Sequence, residues 1–171
     1  MAYLIDADVF IRAKNLHYGF DFCPAFWSWL IDRNTVGAVF SIERVGDELA
    51  GVADELSDWA AARGERFFKR PTPAVVPSLG VVSTWCASGR YESSAVSTFL
   101  QCADYYLVAE AHAGGHTVVT HEIASASTKK IKIPDACIGL GVRCTTPYEM
   151  LRKERARFIL GPSSAHFGAP A

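Results

Sequence analysis

The sequence predicts an α/β domain built on a mainly parallel sheet with helices packed against it. Three observations lead there. The chain opens on a short apolar run, Tyr3-Leu4-Ile5, too brief for a surface helix but suited to a strand buried on both faces. That run ends abruptly in two carboxylates, Asp6 and Asp8, and the pattern recurs where the β-branched run His116-Thr-Val-Val-Thr120 leads to Glu122. Between these runs lie segments of helical periodicity, the alternation expected of a parallel sheet. Such sheets bind ligands just beyond the carboxyl ends of their strands.

At 171 residues the chain is one domain with room for a proper core. Half of it is hydrophobic and 20% is charged, which excludes a disordered segment. No basic leader precedes the first apolar run and Asp6 interrupts it early, so neither a signal peptide nor a membrane span is expected, and a cytoplasmic protein is. The five cysteines (Cys23, Cys86, Cys102, Cys137, Cys144) are scattered and contain no C-x-x-C pair, which favours free thiols over disulfides or a zinc site. The net charge of −1 is unevenly spread: residues 1–66 hold 11 acids and 6 bases, residues 129–157 hold 8 bases and 3 acids. That asymmetry suits an acidic metal site beside a rim that attracts phosphate.

Taken in order, Val9 to Lys14 reads as a short helix, followed by the aromatic loop Tyr18 to Phe22. Pro24 opens a helix to about Arg33 whose Phe26, Trp27 and Trp29 suit core or subunit-interface packing better than stacking on nucleic-acid bases. Ala38 to Ile42 is the second strand. In the next helix Ile42, Val45 and Leu49 form an inward stripe, and Glu48 lies along it, an acid that costs stability there without a partner. A helix from Asp54 to Arg63 follows, and Pro71, Pro73 and Pro77 mark an irregular connection. Helices over Ser78–Ala87 and Glu92–Ala103 lead to Asp104, which either caps the next helix or serves a site. Gly114-Gly115 stops that helix before the strand ending at Thr120. Beyond it come Lys129, Lys130 and Lys132, then Asp135, a last strand at Gly141–Thr145 and a helix from Pro147 to about Arg155. Residues 1–155 form the domain, and 156–171 read as a loosely held tail.

Asp6 and Asp8 share one side of a strand end, Glu48 lies on a helix, Asp104 at a helix start and Glu122 at another strand end. A pocket of carboxylates with no Cys or His at ligand spacing selects hard cations, Mg²⁺ or Mn²⁺. Such ions activate water and stabilise charge on a phosphodiester, which is nuclease chemistry. His112 and His116 are split by two glycines and form no ligand pair, and His121 beside the site reads as solvent-exposed.

The stretches Y-L-I-D-A-D-V-F-I, S-I-E-R-V-G-D-E-L, A-D-Y-Y-L-V-A-E-A and T-V-V-T-H-E, in this order, resemble the PIN-domain family over residues 2–150, closest to stand-alone prokaryotic VapC-like toxins. The resemblance implies a three-layer α/β/α sandwich and a Mg²⁺- or Mn²⁺-dependent endoribonuclease. It also implies an antitoxin partner and, with the aromatic excess at Trp27 and Trp29, a homodimer. Carried over by position, Asp6, Glu48 and Asp104 match the family's acids, Glu122 stands where its T-x-D motif has aspartate, and Thr120 matches the threonine. Asp8 joins as an extra metal ligand or a group behind one. Asp135 either supplies the missing carboxylate, with Glu122 further back, or caps the helix starting near Pro134. Lys129, Lys130 and Lys132 are expected to steer RNA. Two other readings compete. One is a haloacid-dehalogenase-type phosphatase with Asp6 as nucleophile and Asp8 as general acid. The other is a non-catalytic interaction module on the same fold.

Overall fold

The computed structural model describes residues 1–159. Five strands, β1 (Tyr3–Ile5), β2 (Val39–Ile42), β3 (Phe68–Lys69), β4 (Thr117–Val119) and β5 (Arg143–Thr145), form one sheet in the order β3-β2-β1-β4-β5. Every pairing is parallel, with Leu4 opposite Phe40 on one side and Val118 on the other. Helices flank the sheet in a three-layer α/β/α sandwich, the architecture expected. Central residues Leu4, Ile5, Val39, Val118 and Val119 are fully buried, so the continuous apolar runs are explained by a sheet covered on both faces.

Nine α-helices connect the strands among the described residues: α1 (Ala7–Arg12), α2 (Pro24–Thr35), α3 (Glu43–Ala50), α4 (Glu55–Phe67), α5 (Val76–Cys86), α6 (Ser93–Gln101), α7 (Ala103–Gly114), α8 (Ile133–Leu140) and α9 (Pro147–Lys153). A π-helical turn over Ala13–His17 extends α1. Helix α4 starts where the sequence places it because Asp54 caps it, accepting from the backbone N–H groups of Leu56 and Ser57. It breaks at Gly64, whose positive φ of 54° suits glycine, and the chain then turns into β3. That two-residue edge strand was not foreseen. Pro73 and Pro77, expected in an irregular connection, sit in the first turns of a 3₁₀ turn and of α5, where a missing N–H costs no hydrogen bond.

Phe26 and Trp27 of α2 belong to the core, and Trp29 is half-buried against it. Phe26 and Trp27 are buried, Trp27 stacks on Phe20 with ring centroids 4.0 Å apart and meets Trp59 edge-on at 5.0 Å, and its indole N–H donates to the Tyr18 carbonyl at 2.7 Å. The part of the dimer expectation that rested on Trp27 therefore loses its footing, while Trp29 keeps part of its ring at the surface. The expected tail begins in ordered structure, since Ala156 and Phe158 pack on the core and Phe158 meets Tyr18 edge-on at 5.8 Å. Residues 160–171 lie outside the described residues. All five cysteines are free, Cys86 and Cys137 buried and the others half-buried. Among the described residues no helix is long and apolar enough to cross a membrane.

The strand order reverses about β1. The chain runs outward from β1 through β2 to β3, then returns to the other side of β1 as β4 and continues to β5. The crevice beyond the carboxyl ends of β1 and β4 is therefore the position at which open α/β sheets take ligands.

Candidate metal centre

At that crevice lies an open hollow of about 610 Å³, and Asp6, Asp8, Glu48, Asp104, Glu122, Lys130 and Lys132 all line it. Asp6 leaves β1 at the position just before α1, with extended backbone and no capping hydrogen bond from its side chain. Its carboxylate turns instead to Thr120, whose hydroxyl donates to Asp6 Oδ2 at 2.7 Å and accepts from the Glu122 N–H at 3.0 Å. Thr120 is buried, so this hydrogen bond is shielded from water. The capping alternative for Asp104 is removed: Cys102 occupies the N-cap of α7, Asp104 lies inside the first turn, and no side-chain cap bond forms.

Asp6 is 5% exposed, and its pKa is pushed up to about 7, first by burial and then by the negative charges of Asp104, Glu122 and Asp8, against the opposing Thr120 hydrogen bond. Asp104 is pushed up to about 6 by burial, then Glu122 and Glu48, with Lys130 pulling the other way. Acids from four separate segments thus act on one another electrostatically. Glu48 is more exposed than its stripe predicted and lines the hollow, while Val45 and Leu49 beside it on α3 are buried. Desolvation there and the charge of Asp8 raise its pKa. Asp8 is tied at 2.9 Å to Arg12, one helical turn on, a pair readable from its i, i+4 spacing that the sequence reading overlooked.

Glu122 is not a free ligand. Its Oε1 accepts from Lys132 Nζ at 2.7 Å, with Lys130 Nζ at 3.6 Å, and its Oε2 accepts the backbone N–H of Ile133 at 2.8 Å. Asp135 does not line the hollow. It lies in the first turn of α8, its Oδ1 accepts from Ser125 N–H at 3.0 Å, and its Oδ2 has no partner among the described residues. It anchors the loop after β4 and faces a separate cavity with Arg90 and Ile138. The reason is register: α8 points its start at Glu122, so a residue two positions further along projects elsewhere. Lys129 is exposed outside the acidic hollow and, with Lys130, lines a neighbouring one that reaches Asp104.

Three features at the rim had only weak sequence signals. Ile11 and the 81%-exposed Ile123 put apolar surface beside the acids. His121 lines the hollow and its ring lies 5.5 Å from that of His17 and 5.6 Å from that of Tyr148. His112 and His116 are structural: His112 pairs with the Ser78 hydroxyl at 2.8 Å, and His116 Nδ1 accepts from the Ala2 N–H at 3.2 Å.

The donor set consists of hard carboxylate oxygens, the chemistry of Mg²⁺ and Mn²⁺. Among the described residues no three Asp, Glu, His or Cys side chains stand at chelating distance of one point, so an ion would have to draw them inward. Asp6 and Asp104 fit that role best, since neither forms an ion pair and Thr120 occupies only Oδ2 of Asp6. No curated protein and no solved structure matches the chain. A family model described as Domain of unknown function (DUF4411) matches residues 3–158, so it spans both acid-bearing strands and the lysines. The chain therefore belongs to the DUF4411 family, whose matched region contains the whole of this candidate centre.

Proposed function

We propose that this protein is a Mg²⁺- or Mn²⁺-dependent endoribonuclease of PIN-like type, acting as the toxin of a toxin–antitoxin pair. One observation carries the catalytic part. Asp6 and Asp104, far apart in sequence, both have raised pKa values, Asp6 through burial and the charge of Asp104, Asp104 through burial and the charges of Glu122 and Glu48, in a hollow at the switch point of a parallel sheet with two lysines on its wall. Asp6 and Asp104, assisted by Glu48 and Asp8, would hold the ion. Bound there, it would supply Lewis-acid charge neutralisation and an activated water.

The chain's own residues account for the rest. Thr120 fixes the rotamer of Asp6, so the carboxylate is aimed before substrate arrives. Lys130, 64% exposed, offers a mobile positive charge to an incoming phosphate. Arg12 holds Asp8 at the edge, and Ile11 and Ile123 give the sugar and base an apolar border. The substrate class and the toxin role rest on the resemblance of the four motifs, and an antitoxin would be a separate chain.

The test is cleavage of single-stranded RNA with Mn²⁺ or Mg²⁺, together with calorimetric titration of the ion. Wild type should cut and bind, and Asp6→Asn and Asp104→Asn should each lose about 100-fold or more in rate. RNA left intact by wild type in either metal, or hydrolysis of a simple phosphate ester with RNA untouched, would overturn the proposal. Growth arrest on expression that depends on Asp6 tests the toxin role.

A further inference from the structure

The wall of the hollow carries a fixed cation of its own. Glu122 is 15% exposed at its side chain and both its oxygens are occupied from one direction, Oε1 by Lys132 at 2.7 Å and Oε2 by the N–H of Ile133 at 2.8 Å. These contacts come from consecutive residues where the chain enters α8, so Glu122 and the start of that helix form one clamp. An ion seated on Glu122 would have to displace an ammonium group and a backbone donor together. Asp6 and Asp104 face no such competitor, since no cationic side chain pairs with either among the described residues.

From this arrangement we infer that the centre takes a single divalent ion, on Asp6 and Asp104, and that the Lys132 ammonium, clamped by Glu122, stands in for a second one. In two-ion sites the second ion carries part of the charge that builds on the phosphate and leaving oxygen. An ammonium group has three donors, and Glu122 engages one, which leaves donors for a phosphate oxygen. Lys132 is 27% exposed against 64% for Lys130, so its position is set by its surroundings and that of Lys130 is not. Glu122 is then a positioning residue that holds a lysine, rather than a metal ligand. The inference rests on the nuclease reading and goes beyond it by fixing the number of ions and the role of Lys132.

Mn²⁺ stoichiometry, read by calorimetry and by electron paramagnetic resonance on the full chain, decides it. Wild type should bind one Mn²⁺ per chain. Lys132→Met, which keeps the stem and removes the charge, should free Glu122, raise the stoichiometry towards two and cut the RNA cleavage rate about 100-fold. Lys132→Arg should remain at one ion and recover part of the lost rate. Two ions in wild type, or one ion with cleavage unchanged in Lys132→Met, overturns the inference and leaves the nuclease standing. No Mn²⁺ bound to wild type removes the nuclease reading and this inference together. The wild-type stoichiometry needs no variant, so it remains decisive if Lys132→Met misfolds.

Discussion

Replacing Asp6 by asparagine should abolish activity and stabilise the fold, and the size of the gain can be worked from the site. The carboxyl is buried, and its pKa rises from 3.8 to about 7 in the folded chain. The folded state therefore holds the proton more tightly than the unfolded one. Below pH 4 the group is protonated in both states and costs nothing. Between pH 4 and 7 stability is lost progressively, and above pH 7 the full penalty, about 4 kcal/mol, is present. Asparagine keeps an oxygen to accept from Thr120 and carries no charge, so Asp6→Asn should recover much of that at pH 8. For a domain of this size the melting temperature should rise by as much as about 10 °C. The measurement is thermal unfolding of both proteins without divalent ions at pH 4, 6 and 8. The gap should be near zero at pH 4 and widen with pH, and added Mn²⁺ should narrow it by stabilising wild type alone. A gap independent of pH, or a variant less stable than wild type at pH 8, would refute the electrostatic account of this hollow.

Cleavage at sub-saturating Mn²⁺ should climb between pH 5 and 8 as Asp104 and then Asp6 lose their protons and become able to bind the ion, and a flat profile would count against their joint role. Thr120→Val removes the hydrogen bond that favours ionised Asp6, so it should cost about 1 kcal/mol and move the rising limb of that profile to higher pH. An unmoved limb would show that Thr120 only packs. Trp27→Ala should cost about 3–5 kcal/mol in urea unfolding because the ring is enclosed by Phe20, Phe26 and Trp59. The mass measured by light scattering should not change, and a change would return this helix to a subunit interface. Alanine at Lys130 should weaken RNA binding and flatten its dependence on salt more than alanine at Lys129, which lies outside the acidic hollow.

Sheet and site were legible to different depths, for physical reasons. The strands before Asp6 and after Gly115 were readable because a continuous apolar run that stops at an acid marks a buried strand and its functional end. Strand β3 escaped notice because two edge residues, Phe68 and Lys69, carry no periodicity and follow directly on a helix. Glu48 lines the hollow although its helical stripe pointed inward, because a stripe read from spacing gives a residue's face and not its exposure, and Glu48 is exposed. Glu122 and Asp135 could not be separated in sequence. Which of them meets Lys132 depends on where a loop of irregular backbone delivers the start of α8, and no local preference encodes that.

The bond between Thr120 and Asp6 spans 114 positions of chain. Its two halves follow directly on strands that lie side by side although most of the polypeptide is made between them. A ribosome can release β2 early to pair with β1 on one side, but it must release the chain through Val119 before β1 finds its second neighbour, β4, and pairings this remote are slow to close. A fragment ending before residue 117 would carry Asp6, Glu48 and Asp104 without the Thr120 hydroxyl that holds the Asp6 carboxylate, so the last piece of the hollow arrives late.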